Sequence, residues 1–350
     1  MKTLVPMIYK DFHCIGSACR DNCCIGWEID IDDRTAEFYR SVSGPFGDRL
    51  RENIDWDAGC FRLIDGELCP FLNDKSLCDI IIELGEERLC DICDRHPRFR
   101  NVLPGRVEMG VGLCCEEAVR QLLSCEEKMV LVPGPDVEEE PAEADRMLVG
   151  ACGKVRELAF SVLQDRELSL KDRVRMLLSI ADDLWLSQDD MGEGQLEVCD
   201  RYVDHVGMPG ADISQPQPEN VEKQRIWKEI SEIFLSLERL DESWTPLIER
   251  LAEPAKEREL PDIPFEQLIW YFLFRHLMAA LEDGDTAGRI LFAVVSYLVI
   301  RRLVQQGGEF FDIVRRYSKE IEYSTENMDA LYDAFCWNDC FRMENLIALL

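Results

Sequence analysis

The sequence predicts a mainly α fold in which an irregular, cysteine-rich metal-binding module precedes a helical domain. Three observations lead there. Twelve of the sixteen cysteines fall within the first 125 of 350 residues. The stretch Pro133–Arg146 holds three prolines and six acidic residues with almost nothing to bury, which is the composition of a linker. After it, apolar residues recur three and four apart, and clean period-two alternation is scarce. The expected organisation is a cysteine-rich metal- or cluster-binding domain over residues 1–132, an acidic Pro-rich linker over 133–146 and a helical domain over 147–350. A chain this long usually exceeds what one core serves.

Taken in order, Val149, Val155, Leu158, Ala159 and Val162 space as one helix, and Leu170, Val174, Leu177, Leu178 and Ala181 as a second over Leu168–Leu186. A loop rich in Gly, Pro, Gln and Asn spans Gly207–Asn220. A helix follows near Val221–Leu240, then a break at Glu253–Pro264. Two strongly apolar helices fill Phe265–Leu281 and Thr286–Gln305, the latter ended by Gly307-Gly308. Shorter helices cover Glu309–Ile321, Glu326–Phe335 and Phe341–Leu350. Short strands are expected at Trp27–Ile31 and Arg106–Gly112.

Charge narrows the partners. A formal net charge of −30 repels nucleic-acid phosphates and anionic headgroups, so neither nucleic acid nor membrane is an expected partner, and a basic protein is steered inward. Met1–Lys10 lacks the apolar stretch of a secretory signal, and no run approaches the ~18–20 apolar residues of a membrane span. The expected setting is therefore the cytoplasm, where clustered thiols are more often metal ligands or catalytic groups than disulfides.

The densest cysteine run is Cys14-x4-Cys19-x3-Cys23-Cys24, with turn-forming Gly16, Ser17, Arg20, Asp21 and Asn22 between the thiols. Cys69-Pro70, Cys78, the knuckle Cys90-x2-Cys93 with His96, and Cys114-Cys115 follow. Thiolates are soft donors that suit zinc and iron–sulfur clusters, and spacing alone does not choose between them. Cys-x3-Cys-x2-Cys fails here, because Cys19-x3-Cys23 is followed by Gly26 in the third position. Cys125, Cys152, Cys199, Cys336 and Cys340 read singly as buried packing residues. His276 reads as a hydrogen-bonded core histidine, His205 as surface, and His13 and His96 as possible ligands beside cysteines. The nearest approach to a nucleotide fingerprint, Glu108-Met-Gly110-Val-Gly112, runs into Cys114-Cys115 and not into a phosphate-cradling helix.

The stretch Cys14-Ile-Gly-Ser-Ala-Cys19-Arg-Asp-Asn-Cys23-Cys24-Ile-Gly-Trp27 resembles the amino-terminal motif of the flagellin lysine-N-methylase family. Cys69-Pro70-Phe71-Leu72, Leu77-Cys78, Gly85-Glu86, Cys93 with Pro97-Arg98, Cys114 with Glu116, and Glu322–Asn327 match in the same order. Cys115 stands where that family usually has proline, and Cys60 and Cys90 depart from its pattern. The resemblance implies methyl transfer from S-adenosylmethionine to lysines of flagellin, with a 4Fe–4S cluster involved; zinc is the alternative metal. Carried over by position, the ligand candidates are Cys14, Cys19, Cys23, Cys24, Cys69, Cys78, Cys93 and Cys114, with Cys19, Cys23, Cys69 and Cys93 first among them. Trp27, Phe71, Phe99, Glu28, Asp91, Asp94 and Glu116 are candidates to face the sulfonium and the amine. The competing reading is a non-catalytic zinc- or iron-binding protein, structural or redox-sensing, whose helical half binds a partner.

Overall fold

A computed structural model describes residues 1–20, 24–25, 29–65, 68–137, 139–140, 142–187, 192–203, 220–255 and 258–350. The chain is mainly helical. The strands are β1 (Lys2–Pro6), β2 (Ile54–Asp55), β3 (Cys60–Phe61), β4 (Arg98–Leu103), β5 (Arg106–Val111) and β6 (Leu131–Pro133). Within the first 130 residues the helices are α1 (Asp33–Ser41), α2 (Gly44–Asn53), α3 (Asp79–Leu84), α4 (Asp91–Arg95) and α5 (Glu116–Leu123). Beyond them come α6 (Arg146–Leu163), α7 (Leu170–Leu186), α8 (Glu193–Val203), α9 (Asn220–Ser236), α10 (Thr245–Glu249), α11 (Asp262–His276), α12 (Ala280–Asp283), α13 (Thr286–Gln305), α14 (Phe310–Tyr317), α15 (Thr325–Trp337) and α16 (Met343–Leu349).

The helix ends follow local chemistry. Asp145, Ser169, Asp285, Glu309 and Ser324 each cap the helix they precede, their side-chain oxygens accepting otherwise unpaired N–H groups of the first turn. α11 and α13 are apolar on nearly every face and form the centre of the helical body, where burial on all sides is the consistent outcome. The single helix expected over Phe265–Leu281 is instead α11, a short 3₁₀ turn and α12. α8 was not legible as a helix. The expected Gly207–Asn220 loop lies outside the described residues except for Asn220, which opens α9.

Four strands form one sheet in the order β4-β5-β1-β6, more sheet than the sequence predicts. The β4–β5 hairpin closes through Pro104-Gly105, with Gly105 at φ +87°, a conformation only glycine adopts cheaply. β1 pairs parallel with β5 and antiparallel with β6, which ties the first residues into the fold. Of the strand expected at Trp27–Ile31, Trp27 and Glu28 lie outside the described residues, and Asp30 makes only an isolated bridge to Cys60.

Packing produces two cores. The larger takes Tyr9, Leu103, Val111, Leu113 and one face of α5 together with the helices α6–α16. Residues 1–9 and 98–133 therefore share a core with the residues that follow the acidic stretch. One cause is ionic: Glu108 of β5 is fully buried and accepts both Nη groups of Arg156 on α6 at 2.6 and 2.8 Å. A buried carboxylate is tolerated only when paired in this way. The smaller core is built from Ile29, Ile31, Tyr39, Leu50, Ile54, Phe61, Phe71 and Ile80, with Cys69 and Cys90 among them. Here Asp32 does two jobs. Its Oδ1 accepts from Thr35 N at 3.0 Å to cap α1, and its Oδ2 accepts from Asp91 N at 2.9 Å to start α4. Asp32→Ala is expected to lower stability by about 1–2 kcal/mol, read as a lower urea midpoint at unchanged slope.

Candidate functional site

Five thiols lie in or against the smaller core. Cys69 and Cys90 are buried in it, and Cys24, Cys78 and Cys93 pack against it. The backbone explains the gathering. Cys69 N donates to Cys24 O at 3.1 Å, Leu72 bridges to Cys78, and Cys90 immediately precedes α4 while Cys93 lies in its first turn, where Asp94 N donates to Cys90 O at 2.9 Å. The same core holds packed aromatic rings, with Tyr39–Phe61 at 6.4 Å and Phe61–Phe71 at 5.3 Å between centroids.

Their acidities are interlocked. The Cys93 thiol donates to Cys90, which lowers the Cys90 thiol and, with burial, raises that of Cys93. Burial pushes Cys69 up to about 11 and also raises Cys78, and nearby Cys90 adds to both. Each thiolate formed here disfavours the next, and a bound cation reverses that logic by stabilising several at once. The donor chemistry therefore fits a soft metal or an iron–sulfur cluster. Among the described residues, no three His, Cys, Asp or Glu side chains already converge as a metal-holding group. The thiols stand as neighbours and not as a closed shell.

Of the eight sequence candidates, Cys24, Cys69, Cys78 and Cys93 lie together here, and Cys90, left out of that set, lies with them. Its knuckle spacing with Cys93 was the signal that could have included it. Cys14 is exposed, its sulfur accepting from Gly16 N. Cys19 sits against Glu116 Oε2 at 3.5 Å. Cys23 lies outside the described residues, as do Trp27, Glu28 and His205. Phe71 is fully buried core, and His13 is exposed. Asp91 pairs with Arg34 and Arg95, both at 3.3 Å, and Asp94 is exposed. Of the cysteines expected singly as packing residues, Cys125, Cys152, Cys199 and Cys340 are buried; Cys336 is exposed, a correction that follows from its place on the outer face of α15.

Cys114 belongs to a second cluster, where the end of β5 meets α11. Burial pushes its thiol up to about 12; its sulfur stands 4.0 Å from His96 Nε2 and shares a hydrogen bond with Tyr323. At the centre is Glu322, fully buried. It accepts from His276 Nε2 at 2.8 Å and Tyr271 OH at 3.1 Å, with Arg275 Nη1 at 3.3 Å. Arg275 also donates to Tyr271 OH at 2.7 Å and lies 4.8 Å from the ring centroids of both Phe99 and Tyr323. Burial would raise the Glu322 carboxyl, but Arg275 and His276 hold it below its ordinary range. Burial lowers His276 despite Glu322 beside it, so a neutral imidazole donating from Nε2 is the consistent state. His276 is thus the satisfied core histidine that its apolar surroundings suggest.

Two sequence features explain the crossing point. A π turn at Ser318–Glu322 widens the end of α14 and turns Glu322 inward. Gly110 and Gly112 permit close packing: a Cβ would stand 2.3 Å from Phe99 Cζ at the first and 2.0 Å from Tyr323 OH at the second. The Gly-x-Gly pair thus accommodates aromatic rings and forms no nucleotide-cradling loop. No helix among the described residues is long and apolar enough to cross a membrane.

Comparison with known proteins points one way. Residues 156–349 match the family described as the FliB lysine N-methylase C-terminal domain. Over 135 residues the chain is 30% identical to proteins named Lysine-N-methylase from Salmonella choleraesuis and Salmonella typhimurium, covering 36% of this chain and 33% of each of theirs. It is 28% identical over 135 residues to a Salmonella muenchen protein named Flagellar biosynthetic protein FliU, covering 36% of this chain and 79% of that one. The aligned part thus spans about a third of the two lysine-N-methylases. No solved structure matches.

Proposed function

This chain belongs to the FliB lysine N-methylase family, and from that premise we propose that it transfers methyl groups from S-adenosylmethionine to lysine side chains of flagellin, using an iron–sulfur cluster held by thiols of the smaller core. The observation that carries the reading is the family match over residues 156–349. The relatives' names support lysine methylation, and the Salmonella muenchen relative's name supports a flagellar substrate.

The reaction is an in-line displacement. A neutral lysine Nζ attacks the sulfonium methyl, the old C–S bond breaks to leave a thioether, and the amine sheds a proton to a base or to water. The net charge of −30 favours approach of a lysine-bearing partner. Cys24, Cys69, Cys78 and Cys93 supply the thiolates for a 4Fe–4S cluster, which takes four, and Cys90 is the fifth thiol beside them. When bound, the cluster supplies a thiolate-ligated iron centre. The same soft donors also suit zinc.

The test is mass spectrometry of flagellin co-expressed with this protein, expected to show lysines heavier by whole methyl groups. Iron and acid-labile sulfide are expected in protein prepared without oxygen. Unmodified flagellin in the presence of well-expressed protein overturns the activity. A colourless preparation containing zinc overturns the cluster and leaves the activity standing.

A further inference from the structure

We propose that the outer face of α3, built on Ile81 and Ile82, is a docking surface for a lysine-bearing protein segment, set beside the thiol group; the partner's identity as methyl acceptor rests on the methylase reading above. The helix reads Asp79-Ile80-Ile81-Ile82-Glu83-Leu84. A period of 3.6 residues puts Ile80 and Leu84 on one face. Ile80 is buried in the smaller core and Leu84 packs against that core. The inward face is then satisfied. Ile81 and Ile82 are left outside it, 42% and 57% exposed. Apolar residues scattered singly over a surface are ordinary, but here two large ones stand in water as neighbours.

The charges around the pair select the partner. Glu83, Glu86 and Glu87 follow directly, are all exposed, and make no ion pair among the described residues. Acids on neighbouring helices are paired instead: Asp79 with Arg49 at 2.7 Å, Asp48 with Arg51 at 2.6 Å and Asp91 with Arg95 at 3.3 Å. Arg88 is the basic residue of the segment, and its guanidinium is engaged 4.5 Å over the Phe38 ring. An apolar pair rimmed by three unpaired carboxylates complements a segment that carries both apolar and lysine side chains. The same rim repels a phosphate backbone or an anionic membrane.

The patch is fixed close to the thiols by described backbone. Cys78 immediately precedes α3, and Ile82 N donates to Cys78 O at 3.2 Å. Asp79 N donates to Phe71 O at 2.8 Å, which ties the start of the helix to the segment that carries Cys69. Ile81 and Ile82 therefore stand one helical turn, about 5–6 Å of rise, beyond a member of the five-thiol group. A segment docked on them brings its lysines alongside that group.

The experiment measures flagellin binding and methylation separately, in the full chain. One variant carries Ile81→Gln with Ile82→Gln, the other Glu83→Gln, Glu86→Gln and Glu87→Gln. The isoleucine variant is expected to raise the Kd and KM for flagellin about tenfold, with kcat at saturating flagellin and metal per chain unchanged. The glutamine variant is expected to raise Kd about fivefold at low salt and to flatten its salt dependence. Unchanged Kd in both variants overturns the docking surface and leaves the methylase reading standing. Weakened binding in both, by a protein that never methylates flagellin, supports the surface and overturns that reading instead. Loss of fold in the isoleucine variant passes the decision to the glutamine variant, where an unchanged Kd overturns the surface. An unmodified protein that sediments as a dimer, with the isoleucine variant a monomer, assigns the face to a second copy of this chain and overturns substrate docking. An unmodified protein that neither binds nor methylates flagellin overturns both.

Discussion

Replacing Glu322 with alanine is expected to cost about 3–5 kcal/mol of folding stability, because it leaves the Arg275 guanidinium in the interior without its counter-charge. The Arg275 side chain is 11% exposed, so water does not make up the loss. Tyr271 OH at 2.7 Å and two aromatic faces remain, and neither neutralises a charge. Against total stabilities of about 5–15 kcal/mol, the effect is a large fraction of the whole. The damage falls where α11, the end of β5 and the π turn meet. Replacing the pair together, Glu322→Leu with Arg275→Met, is expected to recover part of the loss, since apolar groups need no partner while His276 Nε2 and the Tyr271 hydroxyl still lose their acceptor. Urea unfolding of the two proteins decides it. Equal midpoints for Glu322→Ala and the unmodified protein would show that the network contributes nothing.

The same network sets a pH dependence. Glu322 has a folded-state pKa below its ordinary 4.5, so its stabilisation is present above that value and is lost as pH falls. His276 has a folded-state pKa below its ordinary 6.5, chiefly through burial. Below pH 6.5 the unfolded chain therefore binds a proton that the folded chain refuses. Both groups make stability rise with pH, the histidine acting first on acidification. His276→Gln is expected to lessen the slope below pH 6.5 without removing it, because burial also pulls His96 down to about 4, and to leave the lower limb in place.

Cys69→Ser and Cys93→Ser, made singly, are each expected to abolish metal retention and flagellin methylation, whereas Cys14→Ser keeps both. Cys69 and Cys93 lie in the five-thiol group and Cys14 is exposed outside it. Losing a partner one shell out from a metal costs roughly 10–100-fold in affinity, and losing a ligand costs more. Cys90→Ser distinguishes the fifth thiol. If Cys90 only shares a proton with Cys93, its serine variant keeps a hydroxyl in place and retains metal. Metal content per chain after anaerobic reconstitution, with circular dichroism to confirm folding, reads out all four. Full metal in Cys69→Ser and Cys93→Ser would remove the smaller core from the chemistry.

Legibility varied along the chain for reasons that can be named. α6 and α7 were readable because a 3.6-residue apolar period is a property of one segment, and α13 because a long, nearly continuous apolar run is one too. β1 and β4 were not, because a strand is stabilised by a partner the local sequence does not contain. β1 lies between two strands more than a hundred residues away. The Pro104-Gly105 turn was the one local sign of the hairpin. Likewise the π turn was hidden within what reads as the end of a continuous helix.

By itself the sequence determined that most of the chain after the acidic stretch is helical, that soft ligands crowd the front third, and which family the motifs resemble, since composition and short-range spacing travel with the chain. Only the tertiary structure decided which thiols are neighbours. It separated Cys14, Cys19 and Cys114 from Cys24, Cys69, Cys78 and Cys93, and it added Cys90. It also made Glu322, Arg275 and His276 one network. Their proximity comes from close packing at two glycines and a widened helical turn, which bring residues more than 40 positions apart within hydrogen-bond reach.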